Sequence, residues 1–478
     1  VENFHRALKL QSQGCLDAAI LCYQAAVEGC PSYVEALYNL ALLLQQQGRK
    51  QEAIPHYRQA LDIAPDLAPA WNNLGAALRD TGHPSEAIDC YQKSLRLRPD
   101  GADCLNNLGL ALRAELRLDE AIDCFQKSLC LSPGNPCVWD NLGNAFRDAG
   151  RIHEAVGAFE KAIALKPGFA EAHYDLGFVL LLSGDFKRGW PEYEWRWRRA
   201  DFPPRTFDCP MWQGAGDIAG KTLLVFTEQG FGDAIQFARL IPLLAARGAR
   251  VVLECQPALE TLFASLDGVS RIIPRGQPVP QADFHVPLLS LPNRLELSPD
   301  RIPARMPYLS PVVGRERVLP PGARQEAFRV GLVWSGNPNH VNDRQRSIPW
   351  SLIESLLEMP GIDFFSLQTG VSAAHAGPGL TSMESRMRDF ADTAALIRQL
   401  HLVISVDTAV AHLAGALGTP VWTLLPCAPD WRWMLNREDT PWYPSMRLIR
   451  QPRPGDWPSV ITRVGGDLRR VVSGSRLA

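Results

Sequence analysis

Ala19, Ala53, Ala87, Ala121 and Ala155 stand 34 residues apart, and four further columns keep the same step. Pro31, Pro65, Pro99, Pro133 and Pro167 form one, and Tyr23, Tyr57, Tyr91, Phe125 and Phe159 another. Leu40, Leu74, Leu108, Leu142 and Leu176 form a third, and Gly75, Gly109, Gly143 and Gly177 a fourth. Such a period demands one supersecondary unit, copied and stacked. Within a unit, Trp71, Leu74 and Leu78 fall at i, i+3 and i+7 on one face of a first helix, which Gly82 breaks. Ala87, Tyr91 and Ser94 mark one face of a second helix, and Pro99 closes the unit because proline fits poorly inside a continuing helix. Small residues let the paired helices approach, and the aromatic fills the gap between them.

This pattern resembles the tetratricopeptide repeat (TPR) over residues 1–198, with five clear units and a degenerate capping sixth. In that sixth unit Gly189 replaces the alanine and the segment WPEYEWRWRR follows. A stack of this kind presents an extended concave surface. Asn39, Asn73, Asn107 and Asn141 form a polar column that Asp175 continues, and Arg79, Arg113 and Arg147 form a second. An amide carries donors and an acceptor, so a ladder of amides can grip a peptide backbone without reading its side chains. The column resembles the asparagine ladder in the TPR groove of the O-GlcNAc transferases, which implies an extended acceptor polypeptide. The other reading is that the amides tie neighbouring repeats together, and the sequence leaves both open.

Residues 199–220 break the helical periodicity with Pro and Gly and read as a linker. Beyond them strand and helix patterns alternate. Lys221–Phe226, Arg250–Glu254, Arg329–Trp334, Asp363–Leu367, Leu402–Ser405, Pro420–Leu425 and Met446–Ile449 are short apolar runs of the buried-strand kind. They divide into an N-terminal lobe at 221–310, a second linker at 311–328 containing Pro320, Pro321 and Gly322, and a C-terminal lobe at 329–478. The expected fold is therefore an all-α TPR superhelix followed by an α/β GT-B fold of two Rossmann-like lobes, with ligands beyond the carboxyl ends of the strands.

The segment Val406–Val421, VDTAVAHLAGALGTPV, resembles the sugar-nucleotide motif of the heptosyltransferase-like GT-B family, a family that also has bacterial TPR-containing members. A helix start offers unpaired N–H groups and a positive dipole end to phosphate. Asp407 is expected at the N-cap of that helix, Thr408 and Ala409 supply donors, and His412 one turn on is expected at the pyrophosphate. The family usually has Gly where this chain has Ala409. The resemblance also implies a basic residue in the loop WSGNP…NDRQRS, for which Arg344 and Arg346 are the candidates; Arg holds phosphate oxygens bidentately. Ser335, Asn337, Gln368 and Trp431 are assigned to the donor base or sugar. The turn Gly230–Asp233 resembles the family's Gly-Asp turn, so Asp233 is the candidate general base, with helix capping as its competing role.

Lys and Arg number 49 against 51 Asp and Glu, a net charge of -2, which argues against a generic nucleic-acid binder. No apolar run reaches membrane-spanning length. The opening VENFHRALKLQSQG lacks the regions of a secretory leader and reads as the interior of a longer chain. Eleven cysteines without a C-x-x-C imply no disulfide framework, and Cys22, Cys90 and Cys124 share the repeat phase as core residues. A cytoplasmic location is expected. No D-x-D triplet occurs, so neither metal nor other cofactor is expected, and the nucleotide sugar is a co-substrate. The function expected is a glycosyltransferase that moves a sugar to an acceptor protein, flagellin-like by resemblance, held in the TPR groove. Its rivals are a lipopolysaccharide-type heptose transferase with the TPR serving assembly, and a scaffold whose transferase region is inactive.

Overall fold

The computed structural model describes residues 1–312, 314–315, 319, 327–339, 343–370 and 379–475. Pro320, Pro321 and Gly322 of the second linker, and residues 340–342 of the polar loop, lie outside the described residues. The chain forms two compact units, Val1–Leu176 and Gly177–Ala478.

Helix pairs follow the 34-residue period. They are Glu2–Ser12 with Leu16–Gly29, Val34–Gln46 with Lys50–Ile63, Ala68–Asp80 with Pro84–Leu97, Ala102–Ala114 with Leu118–Leu131, and Pro136–Asp148 with Ile152–Leu165. A sixth pair, Ala170–Ser183 with Phe186–Tyr193, crosses the boundary between the units. The five alanines of the repeat column are completely buried. The glycine column explains the aromatic column. A Cβ on Gly75, Gly109 or Gly143 would lie 2.7, 2.7 or 2.6 Å from the ring of Tyr91, Phe125 or Phe159. Each ring thus occupies the space that a side chain would take. Ser94 and Ser128 donate to the Ala68 and Ala102 carbonyls at 2.8 Å, tying second helices to first helices. In the sixth pair the chain comes closer still, for a Cβ on Gly177 would meet the backbone nitrogen of Tyr193 at 2.5 Å. Cys90 and Cys124 are buried, whereas Cys22 is only half-buried, so the repeat phase does not make all three core residues.

The second unit holds two all-parallel sheets. The first contains β1 (Thr222–Phe226), β2 (Arg250–Cys255), β3 (Val269–Pro274) and β4 (Phe284–Pro287) in the order β3-β2-β1-β4. Residues 199–220 are not a bare connection: Met211 bridges to His285 on β4, and Trp212 is buried. The second sheet contains β5 (Phe328–Val333), β6 (Ile362–Ser366), β7 (Leu380–Ser382), β8 (Leu402–Val406), β9 (Val421–Leu425) and β10 (Met446–Arg450) in the order β10-β9-β8-β5-β6-β7. Its order reverses between β5 and β8, and in such sheets the crevice beyond that reversal is where ligands bind. The last helix, Trp457–Ser475, covers this sheet with Trp457, Val460, Ile461, Val464 and Leu468, all buried on one face.

Candidate functional site

The loop after β5 is held from β6. Gln368 accepts from the Trp334 and Ser335 N–H groups at 3.3 and 3.1 Å, and donates to the Ser335 carbonyl at 3.1 Å. Its amide therefore holds the loop, with Ser335 as partner of both its oxygen and one of its N–H donors. One turn later Ser347 accepts from the Gly336 N–H at 3.1 Å and donates to Asp343 at 3.0 Å. The Arg346 guanidinium lies against Gly336, where any Cβ would collide with it. It donates to the Asp407 carbonyl at 3.2 Å and to Asp343 at 3.3 Å. Arg346 thus joins the loop after β5 to the loop after β8. Arg344 in the same turn is exposed, as is Asn337, whose side chain accepts from the Asn339 N–H at 3.0 Å.

Beyond β8, the helix Ala409–Ala416 starts from Thr408, not Asp407, as its N-cap. The Thr408 hydroxyl does not cap the helix but bonds to Ser405 at 2.9 Å. The first N–H groups, those of Ala409 and Val410, keep no intrahelical acceptor, and Ala411 donates to the Thr408 carbonyl at 3.1 Å. Burial, with Asp430 adding to the rise and the Trp433 indole, Arg432 and Arg346 pulling the other way, raises the Asp407 pKa to about 6.

His412 does not stand on an open phosphate surface. It is buried, bonds through Nδ1 to the Tyr443 hydroxyl at 3.0 Å, and stacks on Trp433 with centroids 5.1 Å apart. A Cβ on Gly232 would lie 2.8 Å from its ring. Gly232 therefore lets the first-lobe helix Phe231–Ala238 approach the second-lobe helix Ala409–Ala416. Burial, with Arg432 and Arg239 nearby, drives the His412 pKa well below its ordinary value, so the ring is neutral. His412 is therefore packed between two helices, one from each lobe.

Asp233 sits in the first turn of the helix Phe231–Ala238. One carboxylate oxygen accepts from the Gly230 N–H at 2.9 Å, and the other pairs with Arg432 of the second lobe. Burial raises its pKa against the pull of Arg432. Arg432 also pairs with Asp430 at 2.7 Å and lies over the Trp431 ring, 4.3 Å from its centroid. Neither Asp430 nor Arg432 was among the expected site residues; the charged pair in Asp430-Trp431-Arg432 was the available signal. Trp431, expected at the donor, is 1% exposed. Its ring meets Trp190 at 5.3 Å, Tyr193 at 5.8 Å and Phe237 at 6.2 Å between centroids, so it is packing rather than a stacking platform.

The amide column makes rungs between repeats. Asn73 donates to the Tyr38 hydroxyl at 3.1 Å, Asn107 to Asn72 at 3.1 Å and Asn141 to Asn106 at 2.9 Å. Asn39 bonds to the Tyr23 hydroxyl. Asp175 accepts from Asn144 at 2.9 Å and lies 3.7 Å from Arg147. One donor of each of these three asparagines is therefore engaged in tying repeats, while the side chains remain half-buried. Among the described residues no group of three or more His, Cys, Asp or Glu is placed to hold a metal ion, and no helix is long and apolar enough to cross a membrane.

Comparison with known proteins places names on both units. Tetratricopeptide-repeat profiles match residues 33–100 and 66–133, and others match 7–48 and 143–184. The profile of glycosyltransferase family 9 (heptosyltransferase) matches 385–451, the stretch from before β8 to β10 that holds Asp407, Thr408, His412 and Arg432. Protein FlbA of Caulobacter vibrioides is 29% identical over 331 residues, 61% of this chain; the match spans 54% of that relative's length. Among solved structures, the MamA protein is 27% identical with a TM-score of 0.33, covering 35% of this chain and 92% of that one. A tetratricopeptide repeat protein from Parabacteroides merdae is 20% identical with a TM-score of 0.38, covering 40% and 77%. The chain carries tetratricopeptide repeats followed by a GT-B-type region with a glycosyltransferase family 9 (heptosyltransferase) domain.

Proposed function

We propose that this chain transfers a sugar from a nucleotide-sugar donor to a side-chain hydroxyl of an acceptor protein brought by the repeat array. The observation that carries the reading is the convergence, at the reversal between β5 and β8, of the Arg346 guanidinium and the free start of the helix Ala409–Ala416. A fixed cation and a helix N-terminus form a site for a leaving phosphate that needs no reorganisation during reaction. The acceptor oxygen bonds to the anomeric carbon, the bond from that carbon to the phosphate oxygen breaks, and the nucleotide leaves with the electron pair. The acceptor proton passes to the Asp233 carboxylate. Charge neutralisation by arginine and helix makes the reaction metal-independent in this reading; loss of activity in chelator, restored by a divalent ion, counts against it.

The protein acceptor follows from the repeats and the flagellin-like choice from resemblance alone. A lipid-linked or polysaccharide acceptor with the array serving assembly is the rival outcome. The engagement of both Asp233 oxygens favours a second reading, a scaffold with an idle transferase region. A thermal-shift screen over nucleotides and nucleotide sugars separates the two. A melting-temperature rise with one donor supports the transferase, and no rise with any nucleotide leaves the scaffold.

A further inference from the structure

The guanidinium of Arg432 is over-supplied with anions and has a donor to spare. It is buried, one terminal nitrogen is held by Asp430 at 2.7 Å and the other by Asp233, yet its Nε has no partner among the described residues. Asp430 also accepts from the Arg432 backbone N–H at 3.0 Å, so that carboxylate is built into the turn. Asp233 is the partner from the other lobe, 199 residues away in sequence. Two carboxylates on one guanidinium leave the group with a net negative charge, beside the loop after β8 where the proposed leaving phosphate binds. A phosphate cannot approach such a group favourably unless one carboxylate yields its place. Arg presents five N–H donors in a fork that suits a phosphate as well as a carboxylate.

We propose that Arg432 exchanges partners when the donor binds: its guanidinium leaves Asp233 for the nucleoside diphosphate, and the freed Asp233 carboxylate becomes the base. The inference rests on the nucleotide-sugar reading and deepens it. Asp430 and the Trp431 ring hold Arg432 in place during the exchange, so only one ion pair is broken and one is formed. The base is occupied until donor is present, which makes donor binding precede acceptor activation. Arg432 then serves the leaving group directly and Asp233 by release.

The test titrates ADP, GDP and UDP, each with its monophosphate as control, into the full chain as wild type, Asp233→Asn, Arg432→Lys and Arg432→Gln. Asn keeps the shape of Asp233 and its bond from Gly230 but removes the charge that competes for the guanidinium. The diphosphate that binds wild type is expected to bind D233N about fivefold to tenfold tighter and R432Q at least about tenfold weaker, with R432K between them. These opposite signs are not expected of a purely structural ion pair, whose loss from either side weakens binding or leaves it alone. Equal or weaker binding by D233N, or unchanged binding by R432Q, overturns the exchange. If R432Q does not fold, D233N and R432K still decide it. Absence of binding by wild type to any of these nucleotides overturns the nucleotide reading itself, and the exchange falls with it.

Discussion

The repeat array and the interlobe cleft use polar side chains in opposite ways. In the array each rung joins residues 35 apart, and the same bond recurs from one repeat to the next. In the cleft, Asp233 finds Arg432 across 199 residues and Arg346 finds the Asp407 carbonyl across 61, each once. Repetition supplies an internal control, because every rung can be compared with its neighbours in the same chain. The cleft has no second copy, so its residues are known only by where the fold brings them. Substitutions should therefore have graded, repeat-like effects in the array and all-or-none effects in the cleft.

The largest expected contrast sets Asp233→Asn against Asn107→Ala. Removing a general base costs about 10²–10⁴ in turnover, whereas removing one half-buried amide costs about 1 kcal/mol of array stability. Transfer assayed with the donor found by thermal shift, and urea unfolding followed by circular dichroism, check the two arms. Comparable turnover in D233N and N107A would erase the distinction.

Two glycines sharpen it next. Gly109 and Gly232 both permit close helix contacts, with a Cβ 2.7 Å from Phe125 in one case and 2.8 Å from His412 in the other. Gly109→Ala overpacks a repeat and is expected to lower stability by about 1–3 kcal/mol, seen as a lower urea midpoint. Gly232→Ala instead forces the two lobe helices apart, and its expected signature is reduced transfer with little change in array unfolding. A G232A variant with wild-type transfer would show that the lobe contact is not needed for the reaction.

The same contrast explains what the sequence made legible. The central strands β1, β2, β5, β8 and β9 are apolar runs because parallel strands are covered on both faces. β3 exposes Ser270 and Arg271, and β7 is three residues long with Thr381 and Ser382 exposed, so neither carries that signal. The helix after β8 was readable because strand, cap and helix are contiguous, although its cap is Thr408 and not the expected Asp407. Burial of His412 and Trp431 was not, because the groups that cover them come from Gly232, Tyr443, Trp190 and Phe237, distant segments that no local spacing links. The amide column was visible, but its partners at Tyr38, Asn72 and Asn106 lie on a second column that the eye passes over in sequence.

That second column makes a smaller, pH-dependent prediction. Asp140 takes the place that Asn72 and Asn106 hold in the preceding repeats, and it faces Asp175 where those amides face Asn107 and Asn141. Position 175 offers no amide donor of its own; the Asn144 amide instead reaches both acids, at 3.4 Å to Asp140 and 2.9 Å to Asp175. The other Asp140 oxygen is buried without a partner among the described residues. Burial and Asp175, against the opposing pull of Arg113 and Arg147 and with Glu171 adding to the rise, push the Asp140 pKa up to about 7. The folded state then holds a proton that the unfolded chain has released. The Asp140 contribution to the unfolding free energy falls as pH rises from about 4 to about 7 and is flat above. Asp140→Asn removes that dependence and restores the amide rung. Its unfolding free energy from urea titration should match wild type near pH 4 and exceed it at pH 8, by about 1 kcal/mol or more. An equal difference at both pH values would mean that Asp140 is ionised throughout.

The smallest expected effect lies in the aromatic column and tests the internal control most directly. Tyr23 donates to Gln11 and Tyr57 to Gln45, each at 2.8 Å and each twelve residues back. At Tyr91 the residue twelve back is Arg79, which has no acceptor to offer, and the Tyr91 hydroxyl is buried without a partner among the described residues. In the next two repeats the residues twelve back are again arginines, Arg113 and Arg147, and the aromatics are Phe125 and Phe159. Hydroxyl and acceptor therefore disappear together, except at Tyr91, where the hydroxyl outlasts its acceptor. Tyr57→Phe should destabilise by about 1 kcal/mol, because it strands the half-buried Gln45 oxygen. Tyr91→Phe should be neutral or stabilising by a few tenths, since it removes a buried group that already lacks its bond. Urea unfolding of the two variants beside wild type decides the point. Equal losses would mean that Tyr91 has an acceptor in solution, and the repeats would then be poorer controls for one another than their spacing implies.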